Sequence, residues 1–332
     1  MSLLHNGRAL MEFAPAPGFR VTPLVEGGGD PDSTGDARVV NAMTIDVEDY
    51  FQVSAFEDRV PRAQWDRLES RVCRNTERLL EMFADADVTA TFFVLGWVAD
   101  RFPGLVRQIA EGGHEIASHG YSHRLVYSMT PSEFRDDLRR ARVAIEAAAS
   151  VPVLGYRAPS YSITRKSLWA LDVLIAEGYA YDASIYPVHH DRYGIADWPR
   201  QIQRIETPSG GLWELPGSTV RFGSTNFPIG GGGYFRILPY AWTRHGIGRL
   251  NATERQPAVF YLHPWEIDPD QPRIASGGLS RMRHYRNLSK TQARLERLLS
   301  EFRFGPVGEV LARANALESA EILVTAGALQ QT

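Results

Sequence analysis

The chain has a single cysteine, Cys73, in 332 residues, so no disulfide can close within it, and its thiol content does not mark an oxidising compartment, though one thiol does not exclude one. Cys73 reads as a packing residue or a surface thiol. Long apolar runs are also missing: no stretch approaches the roughly 18 apolar residues that cross a bilayer, and residues 1–8 lack a basic start followed by an apolar run. A soluble, cytoplasmic protein is expected. Charge of one sign is not in excess either. With 36 Lys and Arg against 39 Asp and Glu, the formal net charge is -3. There is no polybasic run, so nucleic acid and anionic membrane surfaces drop out as expected partners. What remains is ordinary globular composition, 44% hydrophobic and 23% charged, with chain enough for one large α/β domain or two smaller ones.

Residues 1–38, rich in Gly, Pro and Asp around Gly27-Gly28-Gly29-Asp30-Pro31, read as a flexible lead-in with no packed element. A strand over 42–45 then ends at Asp46. Asn75 is placed as the N-cap of a helix carrying Leu79, Leu80 and Phe83, and residues 90–95 are a β-rich apolar run. A helix over 103–110 stops at Gly112-Gly113, and a strand over 114–117 delivers His119 at its end. Thr130-Pro131-Ser132-Glu133 is a capping box that opens a long amphipathic helix. A strand over 153–156 ends in Arg157-Ala158-Pro159-Ser160-Tyr161-Ser162, a helix follows from Thr164, and Tyr179-Ala180-Tyr181 leads to Asp182.

Four times an apolar strand ends in a chemically capable residue. Alternating strands and helices imply a parallel sheet, and functional groups at the C-terminal ends of successive strands are what a β/α barrel produces. Residues 186–236 break this rhythm with long loops and short antiparallel strands. The run Gly230-Gly231-Gly232-Gly233 lacks a following Lys-Ser or Lys-Thr, so it is no phosphate loop; it is expected to let backbone approach a ligand. The strand over 258–262 ends at His263-Pro264-Trp265-Glu266 and restores the pattern. A charged helix over 291–300, a strand at 302–304 and a helix from Val307 to Leu317 close the chain.

Two of these strand ends suggest a metal. His119 and His123, four apart, share one side of a helical turn if the segment is helical, and Asp46, Glu48 and Asp49 are a source of a carboxylate ligand. The plainer reading of the histidines is a structural or surface pair.

With these motifs the chain resembles the polysaccharide deacetylases with NodB homology, carbohydrate esterase family four. Within that family it is most similar to the deacetylases of exosortase-associated (PEP-CTERM) exopolysaccharide loci, through Thr44-Ile45-Asp46-Val47-Glu48-Asp49-Tyr50-Phe51-Gln52-Val53, Phe93-Val94-Leu95-Gly96-Trp97 and Arg283-His284-Tyr285-Arg286-Asn287. The resemblance implies a single irregular (β/α) barrel, with the deacetylase domain over 39–290 and a helical extension over 291–332 packed on it. It implies a divalent metal, zinc first, and removal of N-acetyl groups from an amino-sugar polysaccharide or oligosaccharide.

Residue by residue, the resemblance makes Asp46 the base. Two adjacent aspartates are the family's common form, but Val47 interrupts them here, so the carboxylate ligand is Glu48 or Asp49, with Glu48 preferred. His119 and His123 become the other ligands. Arg157 would hold the base, His263 would be the general acid, and Asp182 would keep His263 charged. A backbone N–H near Tyr161 would face the oxyanion, and Pro159, Tyr161 and Trp265 would border the substrate. Trp97, Tyr161, Trp213 and Trp265 could stack on sugar rings, although such aromatics are more often core. Other functions to be weighed are an allantoinase-like cyclic amide hydrolase and a sugar-binding relative without turnover.

Overall fold

The computed structural model describes residues 19–23, 39–275 and 277–314. Its strands are β1 Arg20–Pro23, β2 Asn41–Val47, β3 Thr91–Val94, β4 Glu115–Ser118, β5 Gly155–Tyr156, β6 Tyr181–Asp182, β7 Gln203–Thr207, β8 Gly210–Glu214, β9 Thr219–Phe222, β10 Thr225–Pro228, β11 Val259–Leu262 and β12 Phe304–Gly305. The helices are α1 Val72–Asp85, α2 Gly96–Arg101, α3 Pro103–Glu111, α4 Pro131–Ala149, α5 Trp169–Ala176, α6 Gly232–Ile237, α7 Tyr240–Ala252, α8 Gly278–Tyr285, α9 Leu288–Glu301 and α10 Val307–Arg313. One sheet runs β1-β7-β8-β6-β5-β4-β3-β2-β11, with β12 also beside β2. From β8 through β11 its pairs are parallel, as expected for strands joined through helices. The two ends of this curved sheet approach each other. Gly217 N donates to Ile185 O, Ile229 N to Ser218 O, and Tyr261 N to Gly230 O, which carries backbone pairing from the β6 side to β11.

Period-two alternation divides the core. On β2, Met43, Ile45 and Val47 pack outward under the helices. Ala42 faces inward with Phe93, Ala117, Tyr181 and Val259, against Val307, Val310 and Leu311 of α10. Helix α10 therefore closes the N-terminal ends of the strands, held there by Val307 N on Thr91 Oγ1 and Gly308 N on Glu115 Oε2. The C-terminal ends are left for Asp46, which shares the inward face with Ala42 and Thr44.

The Thr130–Glu133 capping box is present in both directions. Several other expectations need correction. Asn75 lies inside α1, not at its cap, and its Nδ2 donates to Asp268 Oδ2. Arg20–Pro23, within the expected lead-in, forms β1, because β7 offers it an antiparallel edge; the rest of 1–38 except residue 19 lies outside the described residues. A boundary after residue 290 falls inside α9, and the segment beyond contributes β12 to the sheet as well as helix. The final helix is described to Arg313, and residues 315–317 lie outside the described part. The glycine run approaches protein rather than ligand: a Cβ on Gly231 would lie 1.9 Å from Tyr261 O, and φ there is +119°. Among the described residues no helix is long and apolar enough to cross a membrane.

Candidate metal centre and active site

β2 and β4 deliver the metal-ligand candidates. After Val47 the chain tightens, with Glu48 N donating to Asp46 O at 3.0 Å, so Asp46 and Glu48 both turn into the mouth of the sheet and are buried. His119 follows β4 directly, its N–H on Val94 O at 2.8 Å. The segment to His123 is not helical. Gly120 and His123 have φ of +74° and +53°, and this left-handed loop, rather than a helical turn, brings the second imidazole back. Asp137 Oδ2 holds it from one side by accepting Tyr121 N; Arg62 donates to Ser122 O and His123 O from the other.

One ligand atom from each of Glu48, His119 and His123 lies within 4.8 Å of the others. Three features fit a divalent metal there. Glu48 Oε2 is 2.6 Å from His123 Nε2, yet it is a buried oxygen with no hydrogen-bond partner among the described residues. His119 Nδ1 is 2.8 Å from Arg157 O; a carbonyl only accepts, so Nδ1 carries the proton and Nε2 keeps its lone pair. Burial pushes His119 down to about 4, which keeps it a neutral ligand. Burial also acts to raise Glu48, but the adjacent His123 and His263 outweigh it and hold the carboxyl below the ordinary carboxylate range.

Asp49 has another task. Its Oδ2 accepts Ser70 Oγ at 2.6 Å, Arg71 N at 2.8 Å and Val72 N at 3.2 Å, and its Oδ1 accepts Tyr50 N at 2.9 Å. It caps α1 from 23 residues upstream of Val72. Of the two carboxylates left open by the motif, only Glu48 belongs to the metal-ligand group.

Arg157, fully buried, follows β5 and donates through Nη1 to Asp46 Oδ1 and Thr44 Oγ1, both at 2.7 Å. Thr44 Oγ1 in turn donates to Phe260 O. This fixes the Asp46 carboxylate and leaves Oδ2 toward His263 Nε2, 3.8 Å away; the same Nε2 is 3.6 Å from Glu48 Oε1. Asp46 and His263 thus stand beside the Glu48–His119–His123 group, one able to take a proton and the other to give one. Burial works against the imidazolium, but Glu48, Glu266 and Asp46 raise His263 to about 9.

The expected Asp182–His263 partnership is absent. Asp182 accepts the Ser184 hydroxyl and N–H and lies opposite Glu214 on β8. His263 Nδ1 is paired instead with Glu266 Oε1 at 2.7 Å. The reason is local: Pro264 starts a 3-10 turn that returns the side chain three residues on to His263, whose N–H also donates to Glu266 Oε1. Glu266 and its partner Arg236 escaped sequence reading, although His263-Pro264-Trp265-Glu266 has capping-box spacing.

The aromatic expectations divide. Trp265 is buried between His263 and His284 and donates to Glu48 Oε1 at 3.2 Å, so it supports the site and offers no open face to a sugar. Trp213 packs on the cluster closed by α10, and Trp97 packs among Phe51, Trp65 and Phe102. Pro159 and Tyr161 are buried beside the mouth, Tyr161 against Tyr186 and Tyr261. The Tyr161 N–H donates to Ala158 O at 3.1 Å, so this N–H is not free for an oxyanion. Ser160 and Tyr161 both have φ of +53°, backbone strain of the kind that gathers at functional sites.

Residues 64–177 match the polysaccharide deacetylase family model. Over that segment the chain is similar to the polysaccharide deacetylases. Residues 183–312 match a second model, a domain of unknown function (DUF3473). A peptidoglycan-N-acetylglucosamine deacetylase of Bacillus cereus is 32% identical over 98 residues, covering 29% of this chain and 36% of that protein, so the chain spans little more than a third of that relative's length. A solved Mycobacterium smegmatis protein assigned to the polysaccharide deacetylases shares the fold, with a TM-score of 0.59 at 21% identity over 90% of this chain and 96% of that one. A solved Puue allantoinase shares it with a TM-score of 0.57 at 15% identity, over 89% and 97%. The deacetylase match contains His119, His123 and Arg157, whereas Arg236, His263 and Glu266 fall in the second.

Proposed function

We propose that the chain is a divalent-metal-dependent hydrolase that removes N-acetyl groups from an amino-sugar polysaccharide, with zinc as the metal. The observation that carries this reading is the meeting of an Arg157-held Asp46 and a Glu266-held His263 within 3.8 Å of each other beside Glu48, His119 and His123. A bound divalent metal there would supply Lewis-acid polarisation of an acyl oxygen and acidify water. Asp46 Oδ2 accepts the proton of the attacking water, while Arg157 keeps Oδ1 occupied and the carboxylate oriented. His263 Nε2 gives its proton to the sugar nitrogen as the C–N bond breaks, so the products are acetate and a free amine. An amine is a poor leaving group unless protonated, which is why the second proton carrier is needed.

The similarity to the Bacillus cereus enzyme supports an N-acetylglucosamine-type substrate. We assign the polymer to exopolysaccharide synthesis on the motifs at 44–53, 93–97 and 283–287. The test is acetate release by variants that should keep the ligands. Asp46→Asn and His263→Ala are expected to bind metal at the wild-type stoichiometry and to lose about two to four orders of magnitude in turnover. Wild-type protein that opens a small cyclic ureide and leaves N-acetylated sugars untouched would replace this reading with the allantoinase-like one.

A further inference from the structure

Two motifs are left without a task by this chemistry, Gly230–Arg236 and Arg283–Asn287, and they meet at one side chain. Gly231 and Gly232 allow the start of α6 to lie on β11, where a Cβ would collide with the backbone and ring of Tyr261. Four residues on, Arg236 is delivered buried, with Nε on Glu266 Oε2 at 2.5 Å and Nη1 on His284 O at 2.7 Å and Arg286 O at 3.1 Å. The grip is mutual: Asn287 Nδ2 and Arg294 Nη1 donate to Arg236 O. His284 Nε2 is paired with Gln271 Oε1 at 2.8 Å, and the His284 ring stacks on Trp265 at 4.1 Å. Glu266 therefore divides its two oxygens, Oε2 for Arg236 and Oε1 for Nδ1 of His263.

We propose that Arg236 and Glu266 are a positioning pair that orients the His263 imidazole with its Nε2 toward the reaction, so that the segment matching the domain of unknown function supplies the acid half of the site. The proposal rests on the deacetylase reading for the identity of the reaction, but not for the geometry. Glu266 can accept only, so it requires Nδ1–H and places the transferable proton on Nε2. Arg236 touches neither His263 nor any candidate ligand. It acts by holding Glu266 in one rotamer, and the carbonyls of His284 and Arg286 hold Arg236. The corner between α8 and α9 is in this way part of the catalytic support.

The test uses the full chain carrying Glu266→Gln, Glu266→Asp, Arg236→Met, Arg236→Lys and the double variant Arg236→Met/Glu266→Gln. The double variant removes both buried charges together and so guards against a fold lost to one unpaired charge. Two readouts are taken. In nitrogen-edited NMR the His263 Nδ1–H of wild type should appear far downfield as a hydrogen-bonded proton, shift or vanish in Glu266→Gln, and shift in Arg236→Met. In turnover of N-acetylglucosamine oligomers, Glu266→Gln should lower kcat roughly 10–100-fold, as loss of an outer partner does for metal-bound histidines, with KM and metal content held. The aspartate and lysine variants should recover part of it. Because Arg236 acts through Glu266, the double variant should be no slower than Glu266→Gln. Losses that multiply in the double variant, or an unmoved His263 proton in Arg236→Met, would overturn the proposal. An inactive wild type that still shows the predicted proton shifts would overturn the deacetylase reading and leave the positioning pair standing.

Discussion

Asp49 offers the sharpest separation of ligand from scaffold, because the motif leaves it equivalent to Glu48 and the structure does not. Asp49→Asn keeps one oxygen able to accept Ser70 Oγ, Arg71 N and Val72 N, but sets its amide nitrogen against the Tyr50 N–H that Oδ1 accepts at 2.9 Å. One bond is lost and two donors face each other, a cost of about 1–2 kcal/mol. Asp49→Ala removes all four bonds. The loss of the helix cap, about 1–2 kcal/mol, joins buried donors left without a partner, which brings the cost to roughly 2–4 kcal/mol. Urea denaturation of metal-stripped protein should show this order, Asp49→Ala below Asp49→Asn below wild type. Both variants should take up the wild-type complement of metal. Glu48→Gln should lose the metal, and it should also lower the stability of the stripped protein, since it takes a buried negative charge away from His123 and His263. Loss of metal by Asp49→Asn at unchanged stability would refute the assignment.

Three further outcomes follow from the same geometry. His119→Ala or His123→Ala should abolish tight metal binding while circular dichroism stays that of the folded chain, because both side chains sit at the strand ends and not within the two main cores. Burial raises Asp182 and Glu214 above the ordinary carboxylate range. The folded chain thus holds more protons than the unfolded one between the ordinary and the raised values, so stability falls as pH rises through that window. Asp182→Asn should flatten the slope, and an unchanged slope would show that the pair is ionised without cost. Gly231→Ala should leave little folded protein at 37 °C, since its Cβ would lie 1.9 Å from Tyr261 O at a φ of +119°.

What could be read in the sequence was local. The strand and helix rhythm, the Thr130–Glu133 capping box and the placement of Asp46, His119, Arg157 and His263 at strand ends all depend on residues a few positions apart, and the structure has them there. What escaped depends on contacts across the chain. The cap of α1 comes from Asp49, far upstream, where a local reading does not look. The glycine run was legible as a demand for space, but the occupant, β11, lies about thirty residues away. Asp182 sits at a strand end as the motif requires, yet which carboxylate reaches His263 is decided by the turn at Pro264. The His119–His123 spacing suits a helix or a left-handed loop equally, and only the backbone at Gly120 and His123 tells them apart.

The central claim is tested most directly by acetate release from N-acetylglucosamine oligomers with zinc-loaded, chelated and zinc-restored protein, each acetate matched to a new free amine. The account predicts stoichiometric acetate and amine that disappear on chelation and return with zinc. Turnover that survives complete removal of metal, or a zinc-loaded protein that releases no acetate from any N-acetylated polymer, would contradict it.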